Sequence, residues 1–328
     1  MTAISYHHTV NDLQGLSFAG HGPFARLEWF ALLEAAGATP TIALARDNGS
    51  VLALPLAADG RGLTTLSNWY AFTWGELATA DAGREALLAG LAHDLVGRTA
   101  RIVLDKLPDE DGTASRLEAA FRSAGWVVLR ERSDINHVLE VSGRPFADYL
   151  AARPGALRTT LKRKARKVAV DIVTAFDAAA WSTYEAVYEE SWKPGEGDKA
   201  LLRRFAQAEG AAGRLRLGLA RDAGEVVAAQ FWTVEDGVAY IHKLAHRESA
   251  KPLSAGTILT AALFEHVIDR DRVERVDFGT GDDPYKRDWM EQVRPRYRLT
   301  CWRAGAARNW PEMCKAWARR LVSARSDG

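Results

Sequence analysis

Hydrophobic and polar positions alternate in the same way at two places along this chain. "TIALARDNGSVLALPL" (Thr41–Leu56) and "RLGLARDAGEVVAAQF" (Arg216–Phe231) each hold a strand-like run, a tight turn on Arg-Asp-x-Gly and a second strand-like run. The Asp-Asn-Gly and Asp-Ala-Gly cores predict two β-hairpins whose turn residues take positive φ. A helix-periodic segment ending in glycine precedes each hairpin: "FARLEWFALLEAAG" in the first half and "LLRRFAQAEGAAG" in the second. Downstream, "REALLAGLAHDLVGRTARIVLDKLP" predicts a helix leading into a strand at Ile102 to Leu104. Its counterpart, "GTILTAALFEHVIDRDRVERVDFGTG", leads into a strand at Val276 to Phe278. In that second helix Ile258, Leu259, Ala262, Leu263 and Val267 share one face, as packing on a sheet requires. A further helix and closing strands follow in both halves, in "ASRLEAAFRSAGWVVLRER" and "DDPYKRDWMEQVRPRYRLTCWR".

Short hairpin turns make part of each sheet antiparallel, and a helical crossover between strands favours a parallel pair. The expectation is therefore an α/β fold with mixed sheets, built as two tandem copies of one domain. Gly143, Pro145, Pro154 and Gly155 punctuate "VSGRPFADYLAARPG" and place the seam there, giving domains 1–145 and 146–328. The tail "NWPEMCKAWARRLVSARSDG" predicts a closing helix with Pro311 in its first turn.

Composition removes several function classes. A net charge of +1 gives no overall field that would gather nucleic acid, and no nucleic-acid partner is expected. Cys301 and Cys314 form no CxxC pair, so neither a disulfide framework nor a zinc site is expected, and no metal. The N-terminus lacks a basic segment followed by an apolar run, and no apolar run reaches the ~18 residues of a bilayer span. A cytoplasmic location is the expectation. GxGxxG after a first strand, a Walker loop, GxSxG and HExxH are all missing, which leaves an oxidoreductase or an NTPase unsupported. Most of the tryptophans are expected to fill core, with some left to line a cleft.

Four stretches of the second half occur in a telling order: "TLKRKARKVAV", "YEESWK", "LSAGTIL" and "DFGTGDDPYKRDW". In that order they resemble the bacterial family of acetyltransferases involved in cellulose biosynthesis, within the GNAT superfamily. The doubled architecture resembles the Fem-type double-GNAT aminoacyltransferases. The resemblance implies an N-acyltransferase of two tandem GNAT-like domains, moving an acyl group, acetyl above all, from acetyl-CoA or another acyl-CoA to an amine. It implies a small-molecule or glycan acceptor, with a role in cell-surface polysaccharide or envelope synthesis. The second domain would bind the donor and catalyse. The first, whose matching segment "DKLPDEDGTASRL" has no Tyr-Lys pair, would be a degenerate copy that shapes the acceptor pocket.

GNAT enzymes hold the donor's pyrophosphate on a loop of pattern Arg/Gln-x-x-Gly-x-Gly/Ala. By resemblance the site here is "KPLSAGT", with Lys251 as the basic residue, Ser254 at the first glycine, and Ala255, Gly256 and Thr257 opening the helix. Ser254 could equally be an N-cap. The same resemblance makes Tyr285 the acid that protonates the departing thiolate and Lys286 the cation that steadies the oxyanion. The adjacent ammonium is expected to lower the phenol's pKa. The alternative is an ordinary amphipathic helix with Asp282 or Asp283 as its cap.

Other candidates are His242, as a base or substrate contact on a strand shared with His246, and Trp192, Asp282 and Trp289 as substrate contacts. The stretch Arg158–Lys167 holds six basic residues in ten, with Leu157, Leu161, Ala165 and Val168 on one face. It would meet phosphates or a membrane surface, or lie solvated. Two other classes stay open: an aminoacyl-tRNA-dependent transferase of Fem type, and a non-catalytic binding protein on a GNAT scaffold.

Overall fold

The computed structural model describes residues 2–20, 22–80 and 83–326, with side chains up to residue 318. Two compact units divide the chain: residues 1–134 with 295–328, and residues 135–294. The seam expected at 145/146 compares with a division between Asp134 and Ile135, and the segment from Pro295 onward groups with the first unit.

The first unit opens with β1 (Ala3–His7), α1 (Leu27–Ala35) and the hairpin β2 (Pro40–Asp47) and β3 (Ser50–Ala58). There follow β4 (Leu63–Thr65), β5 (Leu77–Ala78), α2 (Arg84–Val96), β6 (Arg101–Leu107), α3 (Thr113–Ser123) and β7 (Trp126–Glu140). The second unit continues with α4 (Phe146–Ala151), α5 (Gly155–Lys164), β8 (Ala169–Val173), α6 (Ala178–Glu189) and α7 (Lys199–Ala211). Then come β9 (Leu215–Asp222), β10 (Glu225–Glu235), β11 (Val238–His246), α8 (Ala255–Glu265), β12 (Arg275–Thr280) and α9 (Pro284–Trp289). The chain closes with β13 (Gln292–Arg303) and α10 (Trp310–Ser326).

Strand order in the first unit is β1-β2-β3-β4-β6-β13, and in the second β8-β9-β10-β11-β12-β7. Directions match step for step, with one parallel pair in each, β4/β6 and β11/β12, and antiparallel pairing elsewhere. This is the duplicated mixed α/β fold that the sequence pattern predicts. Its turns agree too: Asn48 and Gly49 have φ of 46° and 84°, and Ala223 and Gly224 have 46° and 89°. Both central residues at positive φ are what a two-residue hairpin on right-twisted strands demands.

The last strand of each unit comes from the other half of the sequence. Residues Asn136–Glu140 of β7 pair with β12, and Tyr297–Trp302 of β13 pair with β6. The sequence pattern shows a strand after α3 and another after α9, but not where each is spent.

Helix α8 is the core of the second unit. Ile258, Leu259, Leu263 and, just beyond its end, Val267 are buried as the helical face predicts. Gly218 on β9 lets α8 lie close, since a Cβ there would stand 2.8 Å from Leu263 Cδ1. Phe264 stacks on Trp289 at 5.1 Å and meets Trp232 edge-on at 5.3 Å. Each such buried aromatic contributes about 1.5–3 kcal/mol of burial, and this cluster fixes α9 to the sheet.

Candidate functional site

Strands β11 and β12 are parallel neighbours for only three residues, Val238–Tyr240 against Arg275–Asp277. Beyond that they part, although β11 runs on to His246 and β12 to Thr280. A bulge contributes to the parting: the β10–β11 register jumps between Phe231↔Lys243 and Trp232↔Ile241, so His242 is the extra residue. A bulge bends its strand and re-aims side chains. The facing edges of β11 and β12 are thus left open at their C-terminal ends, where ligands of parallel strands bind.

At the end of β12 the chain turns through Gly279 (φ 67°) and Gly281 (φ 94°). The carboxylate of Asp277 fastens that turn, accepting from Gly279 N at 2.7 Å and from Asn136 Nδ2 at 3.1 Å. Pro284 then opens α9, whose first residues carry Tyr285 and Lys286. Lys286 is 4% exposed; its Nζ donates to the carbonyls of Thr280 and Gly281 and lies 5.4 Å from the Phe278 ring. Tyr285 is half-buried and meets Phe278 edge-on at 5.7 Å. Burial pushes its pKa up, and the neighbouring Asp283 carboxylate adds to the rise. The lowering expected from Lys286 does not occur, because the ammonium turns away to the two carbonyls while the ring loses water. The phenol is therefore held protonated at neutral pH.

At the end of β11, residues Glu248–Leu253 form a 3-10 turn and Ser254 (φ 57°) reverses the chain into α8. The first helical hydrogen bond runs from Ile258 N to Ser254 O, so the N–H groups of Ala255, Gly256 and Thr257 precede the helical ladder. Ser254 is no side-chain cap. Its hydroxyl accepts from Lys164 Nζ at 2.9 Å, which also donates to Pro252 O at 2.8 Å. The basic α5 thus delivers a cation to the start of α8, as Leu157 and Leu161 bury its apolar face. Lys251 is exposed and paired with Glu248 at 2.5 Å. A Cβ on Gly256 would stand 3.3 Å from the His246 ring, so glycine lets α8 begin against the end of β11.

A buried charge cluster that the motifs do not reveal lies behind the bulge. Lys243 Nζ donates to Glu196 at 2.9 Å, with side chains 7% and 4% exposed. Burial lowers the Lys243 pKa to about 8 despite that carboxylate, and burial likewise lowers that of Lys193. Tyr188 lies 5.5 Å from the Lys243 ammonium. The residues missed are 47 positions apart in sequence, and Lys243 meets Glu196 next to the bulged His242.

The remaining candidates scatter. His242 stacks on Phe231 at 4.9 Å, and its Nε2 shares a hydrogen bond with Thr233 Oγ1 at 2.8 Å. Trp192 is 48% exposed and lies 4.3 Å from His246. Asp282 is exposed, bound to Arg287 and to the buried His137 at 3.1 Å; the Arg287 hydrogen bond, then His137, hold its carboxyl below the ordinary range. Trp289, expected to touch substrate, is 4% exposed and stacked in the core, where its carbonyl accepts from Tyr149 OH at 2.7 Å. It supports α9 from behind. Among the described residues no group of His, Cys, Asp or Glu side chains could hold a metal ion, and no helix is long and apolar enough to cross a membrane.

Residues 155–287 match the family model of the acetyltransferase (GNAT) domain. No curated protein matches the chain in sequence. Among solved structures it is similar to L-PGS from Bacillus licheniformis, at 12% identity over 88% of this chain and 90% of that one, with a TM-score of 0.59. FemX is similar at 10% identity over 90% and 96% of the two chains, with a TM-score of 0.60. The C-terminal domain of a candidate lysylphosphatidylglycerol synthetase from Agrobacterium fabrum is similar at 13% identity over 93% and 94%, with a TM-score of 0.59. At these identities the likeness is one of fold, and it spans both units. The fold is that of two GNAT-like units in tandem.

Proposed function

We propose that the chain is an N-acyltransferase that moves an acyl group, acetyl in the simplest case, from acyl-CoA to an amine. One observation carries this reading: β11 and β12 part after three residue pairs, leaving a slot with an anion-attracting helix start at one strand end and a protonated phenol at the other. The open N–H groups of residues 255–257, the positive end of α8 and the Lys164 ammonium suit the donor's pyrophosphate. Lys251 adds an outer charge. The thioester would then enter the slot between the strands. Attack by the amine nitrogen forms the C–N bond and a tetrahedral oxyanion; collapse breaks C–S, Tyr285 gives its proton to the departing thiolate, and the proton shed by the amine nitrogen returns to the phenolate through solvent. Lys286 holds the 280–281 turn, and its buried charge would favour the oxyanion through that turn and not by direct contact. Positioning supplies most of the rate.

The test joins binding to chemistry. Acetyl-CoA is expected to raise the melting temperature saturably, an effect weakened in Lys251→Glu and Lys164→Glu. Tyr285→Phe should keep that shift and the fold while lowering kcat for thiol release about a hundredfold. Unchanged turnover in Tyr285→Phe would remove the acid role.

A second reading, aminoacyl transfer from a charged tRNA, has the fold likeness to FemX and the basic α5 in its favour. It predicts no response to acetyl-CoA and binding of charged tRNA that weakens steeply with salt.

A further inference from the structure

The first unit carries its own cleft, of about 680 Å³, on one face of its sheet. Strands β6 and β13 make its floor. Their register sets Thr300 beside Val103 and Trp302 beside Arg101, while Ile102, Leu104, Leu299 and Cys301 point to the opposite face and are wholly buried. A strand pair with one apolar face normally gives its other face to water. Here that other face lines the cleft. Glu312, Lys315 and Ala316, one side of α10, roof it, and the segment after β4 walls it with Ser67, Asn68 and Trp69. Lys106 fixes that wall by donating from Nζ to the carbonyls of Asn68 and Ala71.

Both arginines of the cleft are paired with carboxylates that also line it. Arg101 binds Asp59 and Glu312, each at 3.0 Å, and Arg298 binds Asp105 at 2.5 Å. A strongly ionic ligand would have to break these pairs, whereas a neutral ligand rich in hydroxyl groups can donate to the carboxylates and accept from the guanidinium groups without doing so. Thr64, Thr65 and Thr300 add hydroxyl partners. Trp69, 54% exposed at the rim, offers a flat apolar face to the C–H side of a pyranose ring. Trp302 lines the cleft at 1% exposure, and its buried indole N–H has no hydrogen-bond partner among the described residues.

We propose that this cleft binds a neutral saccharide, stacked on Trp69 and hydrogen-bonded to the paired charges of β6, β13 and α10. The site lies wholly in the first unit and does not depend on the acyl-donor reading. Calorimetric titration of the full chain with cellobiose, N,N′-diacetylchitobiose and maltose tests it, with inorganic phosphate as the ionic probe. At least one saccharide should bind saturably, about tenfold more weakly in Trp69→Ala and several-fold more weakly in Thr300→Val, with the acetyl-CoA response unchanged in both. Trp69→Phe should restore most of the affinity. Failure of all three sugars to bind, binding untouched by Trp69→Ala and Thr300→Val, or phosphate binding in place of sugar would each overturn the proposal.

Discussion

Lys286 and Lys243 are both withdrawn from water, and they offset that cost by different means. Lys286 gives its protons to the carbonyls of Thr280 and Gly281, neutral acceptors that fasten a turn. Lys243 faces a full countercharge, Glu196, and still has its pKa lowered by burial from 10.5 to about 8. Between pH 8 and about 10.5 the unfolded chain then holds a proton that the folded chain has released, so stability rises with pH through that window. Urea titrations across it should show a rise in wild type that is reduced in the double variant Lys243→Met/Glu196→Gln, which removes both charges together. Equal slopes in the two proteins would mean that Lys243 titrates normally. The position of Tyr285 and Lys286 just past a strand end was legible because strand and helix start lie within one motif. The Lys243–Glu196 pair was not, because nothing local in "YIHKLAH" announces a bulge. Trp289 shows the converse: a tryptophan inside the same stretch serves as packing.

Among the elements, the hairpins were the most readable, since Asp-x-Gly turns state their backbone conformation directly. The two turns are not equally easy. The first uses Asn48 at φ 46°, a residue that tolerates the left-handed region, whereas the second forces Ala223 into the same conformation. Ala223→Asn should therefore stabilise the second unit by about 0.5–1 kcal/mol, read as a higher urea midpoint at unchanged m-value. A lower midpoint would show that the turn gains nothing from the residue its counterpart uses. The loop entering α8 was less readable. Lys251 was named from the motif and lies exposed against Glu248, while Lys164, 90 positions from Ser254, reaches the loop from another helix.

For the whole molecule, the duplication was visible in the order of elements, but the exchange of closing strands was not. Hydrophobic period identifies a strand without naming its partner, and β7 and β13 each have the pattern that either sheet could accept. The exchange makes the first unit depend on the far end of the chain: β13 buries Leu299, Cys301 and Trp302 there. A chain ending at Arg294 should lose protection from hydrogen exchange along β6 far more than along β9 and β10. Retained protection at β6 would argue that the first unit closes without β13.

The most direct trial of the central claim is hydrogen–deuterium exchange of the full chain with and without saturating acetyl-CoA. Slower exchange in residues 241–258 and 278–287, the two ends of the parted strands, is the predicted result. A saturable interaction that leaves both segments unchanged, or protects only the first unit, would contradict it.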